Sequence, residues 1–432
     1  MINVALVLVT DPQRSLEDHA GLPLLKRTVL AAQKGGVEEF IVTAPKNSEE
    51  DLKRLFSGDD RICSRINWHG HENGDLPDRL KGTSSEPIMI IKAESVFDSN
   101  IVEKMYRPRL DDAAACVAVR NTAGATGPGH HTLKLDGDVV VDCNVPDASF
   151  QTAGLMLAKH DAIKALATSV ANGHTDLYDL VKGLLGTGKV RTVDVTNELC
   201  MEITSQETMR ESREKLFDRL GLTTDGPFSV HVSRKLSRVV SSVLVRLPIT
   251  PNQVTLFGFF MGVVACWFFL QGRYWYSVAG AAVFYASIVL DLSDGEVARL
   301  KFMSSRYGGW FDSICDSVVF GGILLSAALA IHRDAHMSNV LAVGAVAAGV
   351  VLICSNLDFY LHFLEADREK NQPISTMRIV ANEDNFFLSL LGFTVLNKLL
   401  LYLWIVAAGT SVYLLVLIWE LIVFKPSGRK AA

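Results

Sequence analysis

Four aspartates stand where a bilayer-crossing segment should carry none: Asp291 and Asp294 close one long apolar run, and Asp312 and Asp316 lie near the start of the next. A carboxylate placed deep and unpaired in a membrane costs a few kcal/mol, so four on consecutive spans call for a chemical reason. At ~100° per residue, Asp291, Asp294, Gly295, Ala298 and Arg299 fall within one helical arc of about 140°. Gly308, Asp312 and Asp316, spaced i, i+4 and i+8, share a face of the following helix. Two neighbouring helices would thus turn four carboxylates toward each other. Acids packed that way repel unless they are protonated or bridged by a divalent cation. An all-oxygen donor set suits Mg²⁺ or Mn²⁺. Gly295, Ala298 and Gly308 keep the helix surfaces thin enough for a ligand to approach the backbone, and Arg299 could hold a phosphate bidentately. Together these residues point to a pyrophosphate substrate, with metal neutralising the phosphoryl charge and one carboxylate free to deprotonate an attacking hydroxyl.

The elements that must position these residues are long apolar helices. Between Pro248 and Leu290 the only charge is Arg273, in a Gln271-Gly272-Arg273 turn. The flanking runs of roughly 20 residues, at ~1.5 Å per residue, match about 30 Å of hydrocarbon. A third span is predicted over about 309–331, a fourth over about 340–363, and a fifth and sixth within Phe386–Phe424, broken at Asn397-Lys398 or at Gly409-Thr410. Lys and Arg in the short loops set the orientation. Arg234, Lys235, Arg238, Arg246, Arg299, Lys301, Arg306, Arg368, Lys370, Arg378, Lys425, Arg429 and Lys430 fall on one side, against Arg273, Arg333 and Lys398 on the other. The chain before the first span and its C-terminus are therefore expected to be cytoplasmic. Ser229–Leu247 reads as an amphipathic helix, with Val232, Leu236, Val239, Val240 and Val243 opposite Arg234, Lys235 and Arg238, lying in the membrane interface with its basic face on headgroups.

Composition agrees with this division. Of 432 residues, 49% are apolar and 21% charged, which excludes a disordered chain, and the net charge of −5 offers no field for nucleic acid. From Gly226 onward there are 16 basic and 13 acidic residues, whereas the preceding part holds 26 against 34. Two domains are expected, 1–224 and 225–432. The seven cysteines form no C-x-x-C pair and read as reduced thiols. Met1–Thr10 is too short an apolar stretch for a signal peptide.

The run Asp291-x-x-Asp294-Gly295-x-x-Ala298-Arg299, then Gly308-x-x-x-Asp312-x-x-x-Asp316, resembles the signature of the CDP-alcohol phosphotransferases, with every position present. Pro251-Asn252-x-Val254-Thr255 resembles the family as well. The resemblance covers about 225–424. It implies a six-helix membrane enzyme that moves a phosphoalcohol from a CDP-linked donor to an acceptor hydroxyl and releases CMP. It also implies that the four aspartates bind two divalent ions, that Asp316 is the general base, and that Asp291, Asp294, Gly295, Ala298, Arg299 and Gly308 contact the cytidine diphosphate. Members of the family often form homodimers.

The first half alternates strands and helices: strands at Val4–Val9, Glu39–Thr43 and Pro87–Lys92, helices near Thr28–Lys34 and from Asn100. A mostly parallel α/β sheet is expected, with a hairpin over Leu133–Val145 around Asp136-Gly137-Asp138. The segments Gly21-x-Pro23-Leu24…Arg27, Ala93-Glu94-x-Val96-Phe97-Asp98, Thr152-Ala153-Gly154-Leu155 and Met201-Glu202-Ile203-Thr204 resemble the sugar-phosphate nucleotidyltransferases. They are most similar to inositol-phosphate cytidylyltransferase domains fused to a CDP-alcohol phosphotransferase. The resemblance puts Glu94 and Glu202 at the two metal-binding acids. The family's G-x-G-x-R loop is replaced by Val9-Thr10-Asp11-Pro12-Gln13-Arg14-Ser15. Lacking glycine, and with Pro12 missing a donor, that loop keeps only Arg14 for phosphate. The first domain therefore either makes the CDP-alcohol or is a degenerate domain that binds nucleotide or braces the membrane domain.

Two rival functions carry the same residues: a phospholipid synthase using CDP-diacylglycerol beside a non-catalytic first domain, and an ion-binding membrane scaffold or carrier. His69-x-His71 and His130-His131 are expected to be solvated loop histidines, Cys315 a packing thiol, Glu365–Lys370 a solvated loop, and Arg378 either a contact for a phosphorylated acceptor or a positive-inside anchor.

Overall fold

Residues 4–70, 87–107, 110, 112–121, 132–143, 149–159, 162, 176–186, 188–221, 228–366 and 383–423 are described in a computed structural model. The chain divides into two units, Met1–Arg219 and Leu220–Ala432.

In the first unit, uninterrupted aliphatic runs make interior strands and amphipathic segments make covering helices. The strands are β1 (Val4–Leu8), β2 (Asp18–His19), β3 (Leu22–Pro23), β4 (Glu39–Ala44), β5 (Arg65–Gly70), β6 (Ile88–Lys92), β7 (Ser95–Phe97), β8 (Ala113–Asn121), β9 (Thr132–Asp136), β10 (Val139–Cys143), β11 (Phe150–Ala158), β12 (Lys189–Asp194) and β13 (Cys200–Glu202). The helices are α1 (Pro12–Leu16), α2 (Leu24–Lys34), α3 (Glu49–Arg54), α4 (Asn100–Tyr106), α5 (Leu177–Leu185) and α6 (Gln206–Asp218). Nine strands form one sheet in the order β5-β4-β1-β6-β11-β8-β12-β10-β9. Leu6, Leu8, Ile41, Ile90, Val117 and Met156 are among the buried residues of its main core.

The sheet is mixed, which corrects the expectation of a mostly parallel one. β1 runs parallel to β4 and β6, and β8 parallel to β12, but β11 is antiparallel to both β6 and β8. Strand–helix alternation is interrupted after α4: among the described residues β8 to β11 come in succession before α5. From Thr132 three strands follow one another, beginning with the expected β9–β10 hairpin around Gly137, whose φ is +61°. Among the described residues the histidine expectation fails in part: His69 is buried on β5 instead of solvated in a loop. His71, His130, His131 and Arg378 lie outside the described residues, as does most of Glu365–Lys370.

The second unit is helical: α7 (Arg234–Leu244, preceded by a wider turn at Ser229–Ser233), α8 (Pro251–Leu270), α9 (Tyr274–Leu300), α10 (Arg306–Ala335), α11 (Ser338–Ala366), α12 (Glu383–Val395) and α13 (Leu399–Val423). Five of these, α8 to α11 and α13, are long and apolar enough to cross a membrane. The expected fifth span is the shorter α12, and the break before α13 falls at Asn397, with φ +54°, while Gly409-Thr410 lies within α13. Thr250 caps α8 reciprocally with Gln253, and Pro251 takes the first helical turn where its missing N–H is harmless.

Small residues bring α10 and α11 together. A Cβ added at Gly344 would overlap that of Ala328, and one at Gly321 would lie 3.3 Å from the Ala348 carbonyl oxygen.

α7 departs from its expected arrangement. Val232, Leu236, Val239 and Val243 are exposed, but Arg234 is buried, as are Ser233, Ser237 and Ser241, instead of lying on a basic face turned to the headgroups. Its partner is a buried acid on α9, described below.

Candidate active site

The carboxylates come from the last turns of α9 and the first turns of α10. Ser305 caps α10, its Oγ accepting from the Gly308 N–H at 3.0 Å, and so fixes where the face bearing Asp312 begins. Asp291, Asp294 and Asp312 each bring one carboxylate oxygen to within 4.8 Å of the others. Asp294 is 5% exposed, and its Oδ2 accepts from the Thr255 hydroxyl of α8. Asp312 Oδ1 is buried and has no hydrogen-bond partner among the described residues. Asp316 is not in this trio. It lies one turn further along α10, about 6 Å along the axis, and lines a cavity with Thr255, Gly258, Ser287, Asp291 and Phe320. The expectation of four converging carboxylates is thus met by three, with the fourth facing the same cavity as Asp291.

Arg299 Nη2 donates to the Leu220 carbonyl at 3.1 Å. Gly295 is half-buried beside it, a Cβ there falling 3.4 Å from Arg299 Nη1. Half-buried Ala298 accepts the Met303 N–H at 2.8 Å through its carbonyl. A Cβ at Gly308 would come within 3.2 Å of Asn252 Oδ1, so the start of α8 closes in on this corner.

Thr255, within the Pro251–Thr255 segment, is a partner of the carboxylates that sequence reasoning misses. Also missed are two residues, one in α9 and one capping its C-terminal end, that hold that helix in place. Lys301 Nζ donates to the Leu247 and Ile249 carbonyls, at 2.7 and 3.0 Å, ahead of α8. Glu296, fully buried, receives Arg234, Ser237 and Ser241. Neither pairing has a sequence signal, because the partners lie more than 50 residues apart.

In the first unit, Asp11 caps α1 by accepting from the Arg14 N–H. Glu94, 1% exposed, accepts with Oε1 from the Thr10 N–H (3.1 Å), the Asp11 N–H (2.9 Å) and the Ser15 hydroxyl (2.8 Å). Burial pushes the Glu94 carboxyl up in pKa against those hydrogen bonds. Glu202 is ion-paired with Lys92, which also lies 3.4 Å from Asp176 Oδ2. Burial opposes the charge on Lys92, but the Glu202 and Asp176 carboxylates outweigh it and hold its pKa above the ordinary value. Arg14 Nη1 reaches the Ile203 carbonyl at 3.4 Å. One of the two acids therefore supports the loop after β1, and the other is engaged by a lysine.

The second unit thus combines helices long and apolar enough to cross a membrane with three carboxylates gathered where α9 ends and α10 begins. Residues 248–382 match the family model for CDP-alcohol phosphatidyltransferases, and the C-terminal half carries a CDP-alcohol phosphotransferase domain, of a family that generally uses divalent metals. The chain is 28% identical over 324 residues to a bifunctional IPC transferase and DIPP synthase from Rubrobacter xylanophilus, covering 71% of this chain and 72% of that protein. It is 23% identical over 358 residues to the protein of the same description from Aquifex aeolicus, covering 82% and 80%. A phosphatidylinositol phosphate synthase from Mycolicibacterium smegmatis is 35% identical over 99 residues, covering 22% of this chain and 43% of that one. The inositol-1-phosphate CTP transferase structure from T. maritima aligns at 15% identity and a TM-score of 0.42, covering 51% of this chain and 98% of that one.

Proposed function

We propose that the chain transfers an inositol-phosphate-type phosphoalcohol from a CDP-linked donor to an acceptor hydroxyl, releasing CMP. The observation that carries this reading is the trio Asp291, Asp294 and Asp312, with a buried Asp312 oxygen that no described residue engages. Hard oxygen donors in that state fit a divalent cation. Asp291, Asp294, Asp312 and Asp316 would hold two Mg²⁺ or Mn²⁺ ions. When bound, such ions neutralise the charge on the diphosphate.

The chain's own residues do the rest. Asp316, facing the cavity it shares with Asp291, accepts the proton of the attacking hydroxyl. The new bond forms between that oxygen and the phosphorus next to the alcohol, and the bond to CMP breaks. Gly295, Ala298 and Gly308 give the cytidine diphosphate room near the backbone, and Arg299 pairs with its phosphate. The first unit and the C-terminus face the cytoplasm, as the Lys and Arg distribution supports.

The inositol reading is supported by the two relatives whose alignments exceed either unit of this chain. On it, the first unit serves the second by supplying or binding the CDP-activated alcohol. The test is direct: purified full-length chain is given CDP-inositol, inositol 1-phosphate and Mg²⁺, and CMP is measured. Release of CMP with a water-soluble diester product supports the reading. A product that partitions into chloroform, formed only from CDP-diacylglycerol, replaces it with phospholipid synthesis. No CMP from either donor leaves the scaffold reading. Pyrophosphate release from CTP and inositol 1-phosphate marks the first unit as a second catalyst, and its absence marks that unit as a binding domain.

A further inference from the structure

Resting on that reading of the membrane site, we infer that Glu296 and Arg234 form a positioning pair for phosphotransfer. Glu296 is 0% and Arg234 3% exposed, so both charges have left water. Such a pair is costly unless every oxygen is engaged, and here both are. Glu296 Oε1 accepts from Arg234 Nη1 at 3.2 Å and from Ser237 Oγ at 2.8 Å, while Oε2 accepts from Ser241 Oγ at 2.6 Å. Ser293, one residue before Asp294, donates to Val289 in its own helix at 2.7 Å and lies 3.3 Å from the Ser237 carbonyl, while its own carbonyl lies 3.4 Å from Ser241 Oγ, so the two backbones meet closely here.

The serines at 233, 237 and 241 recur every four residues, so α7 meets α9 along a stripe of small side chains and leaves Leu236, Val239 and Val243 facing outward. Glu296 is two residues from Asp294. At ~100° per residue the two point about 160° apart around α9, so Glu296 cannot reach the substrate side. It braces the turn bearing Asp294 from behind, while Thr255 engages Asp294 from the front. An error of even 1 Å in a catalytic group lowers turnover steeply, so this brace acts on the chemical step without touching either substrate.

The full-length protein, reconstituted in lipid, tests this by kcat and KM for both substrates. Glu296→Gln is expected to lower kcat about tenfold with both KM values unchanged within twofold, and Glu296→Asp, which keeps the charge, to recover part of that loss. Arg234→Lys is expected to lie with Glu296→Asp, and it keeps the test available if Glu296→Gln does not fold. A Glu296→Gln protein that melts like the parent and keeps its kcat within twofold overturns the pair's role, as does one whose loss is entirely in KM. An inactive parent would overturn the underlying reading instead, so the two failures are distinguishable.

Discussion

The hydroxyl of Thr255 on α8 donates to Oδ2 of Asp294 on α9, joining the start of the first long span to the carboxylate trio. The same hydroxyl oxygen lies 3.2 Å from the Pro251 carbonyl, a competing acceptor one turn back on α8. Partners of metal-binding carboxylates typically contribute 10- to 100-fold in metal affinity or activity. Thr255→Val should therefore raise the Mg²⁺ concentration for half-maximal CMP release by about tenfold or more, and Thr255→Ser should leave it near the parent value. A metal titration of the three proteins at saturating substrates decides it.

Asp316 lies apart from the trio and beside the cavity. Its replacement should thus cost proton transfer more than metal binding. Asp316→Asn is expected to lower CMP release by on the order of 10²–10⁴, the range for a lost general base, with the protein still folded in membranes. Undiminished turnover would remove the base assignment. Asp312→Asn, by contrast, should shift the metal requirement as well as the rate.

Metal removal should act on both activity and stability. The clustered carboxylates repel when nothing bridges them, so chelation with EDTA should abolish CMP release and lower the melting temperature of the membrane unit. Mg²⁺ or Mn²⁺ added back should restore both. Activity that survives exhaustive chelation would count against the proposed ions.

The first unit should be acid-sensitive through His19. Its Nε2 lies 2.6 Å from the Ser212 hydroxyl, and burial, then Arg27 and Arg213, pull its pKa down from 6.5 to about 3. The folded chain therefore refuses a proton that the unfolded chain takes up below about pH 6.5. Stability from the neutral ring is present above that pH and is lost as the pH falls toward 3, on the order of 3 kcal/mol by pH 4. Amide exchange over α2, corrected for intrinsic rates, should speed up across this window in the parent and much less in His19→Gln.

Much of the membrane site was legible because a helix turns local spacing into a shared face. The interval from Asp291 to Asp294 needs no tertiary information, and neither does the one from Gly308 to Asp312. What escaped was set by contacts between distant segments. Arg234 looked like a headgroup anchor until Glu296, 62 residues away, took it inside. Asp316 shares a face with Asp312 by angle, yet a full turn of rise keeps it out of the trio. In the first unit, β11 reads as an ordinary apolar strand, and nothing in its residues reveals that it inserts antiparallel between β6 and β8. The loop after β1 shows its lack of glycine in the sequence, but its anchoring by Glu94 is visible only in the fold.

The seam between α10 and α11 limits how this bundle can admit a bulky nucleotide. Helices seated nearly backbone to backbone at Gly344–Ala328 and Gly321–Ala348 cannot slide by a turn without driving larger side chains into space that does not exist. The helix bearing Asp312 and Asp316 is thereby locked to its neighbour as a fixed wall, and any breathing that lets donor in and CMP out must fall to the other walls of the chamber.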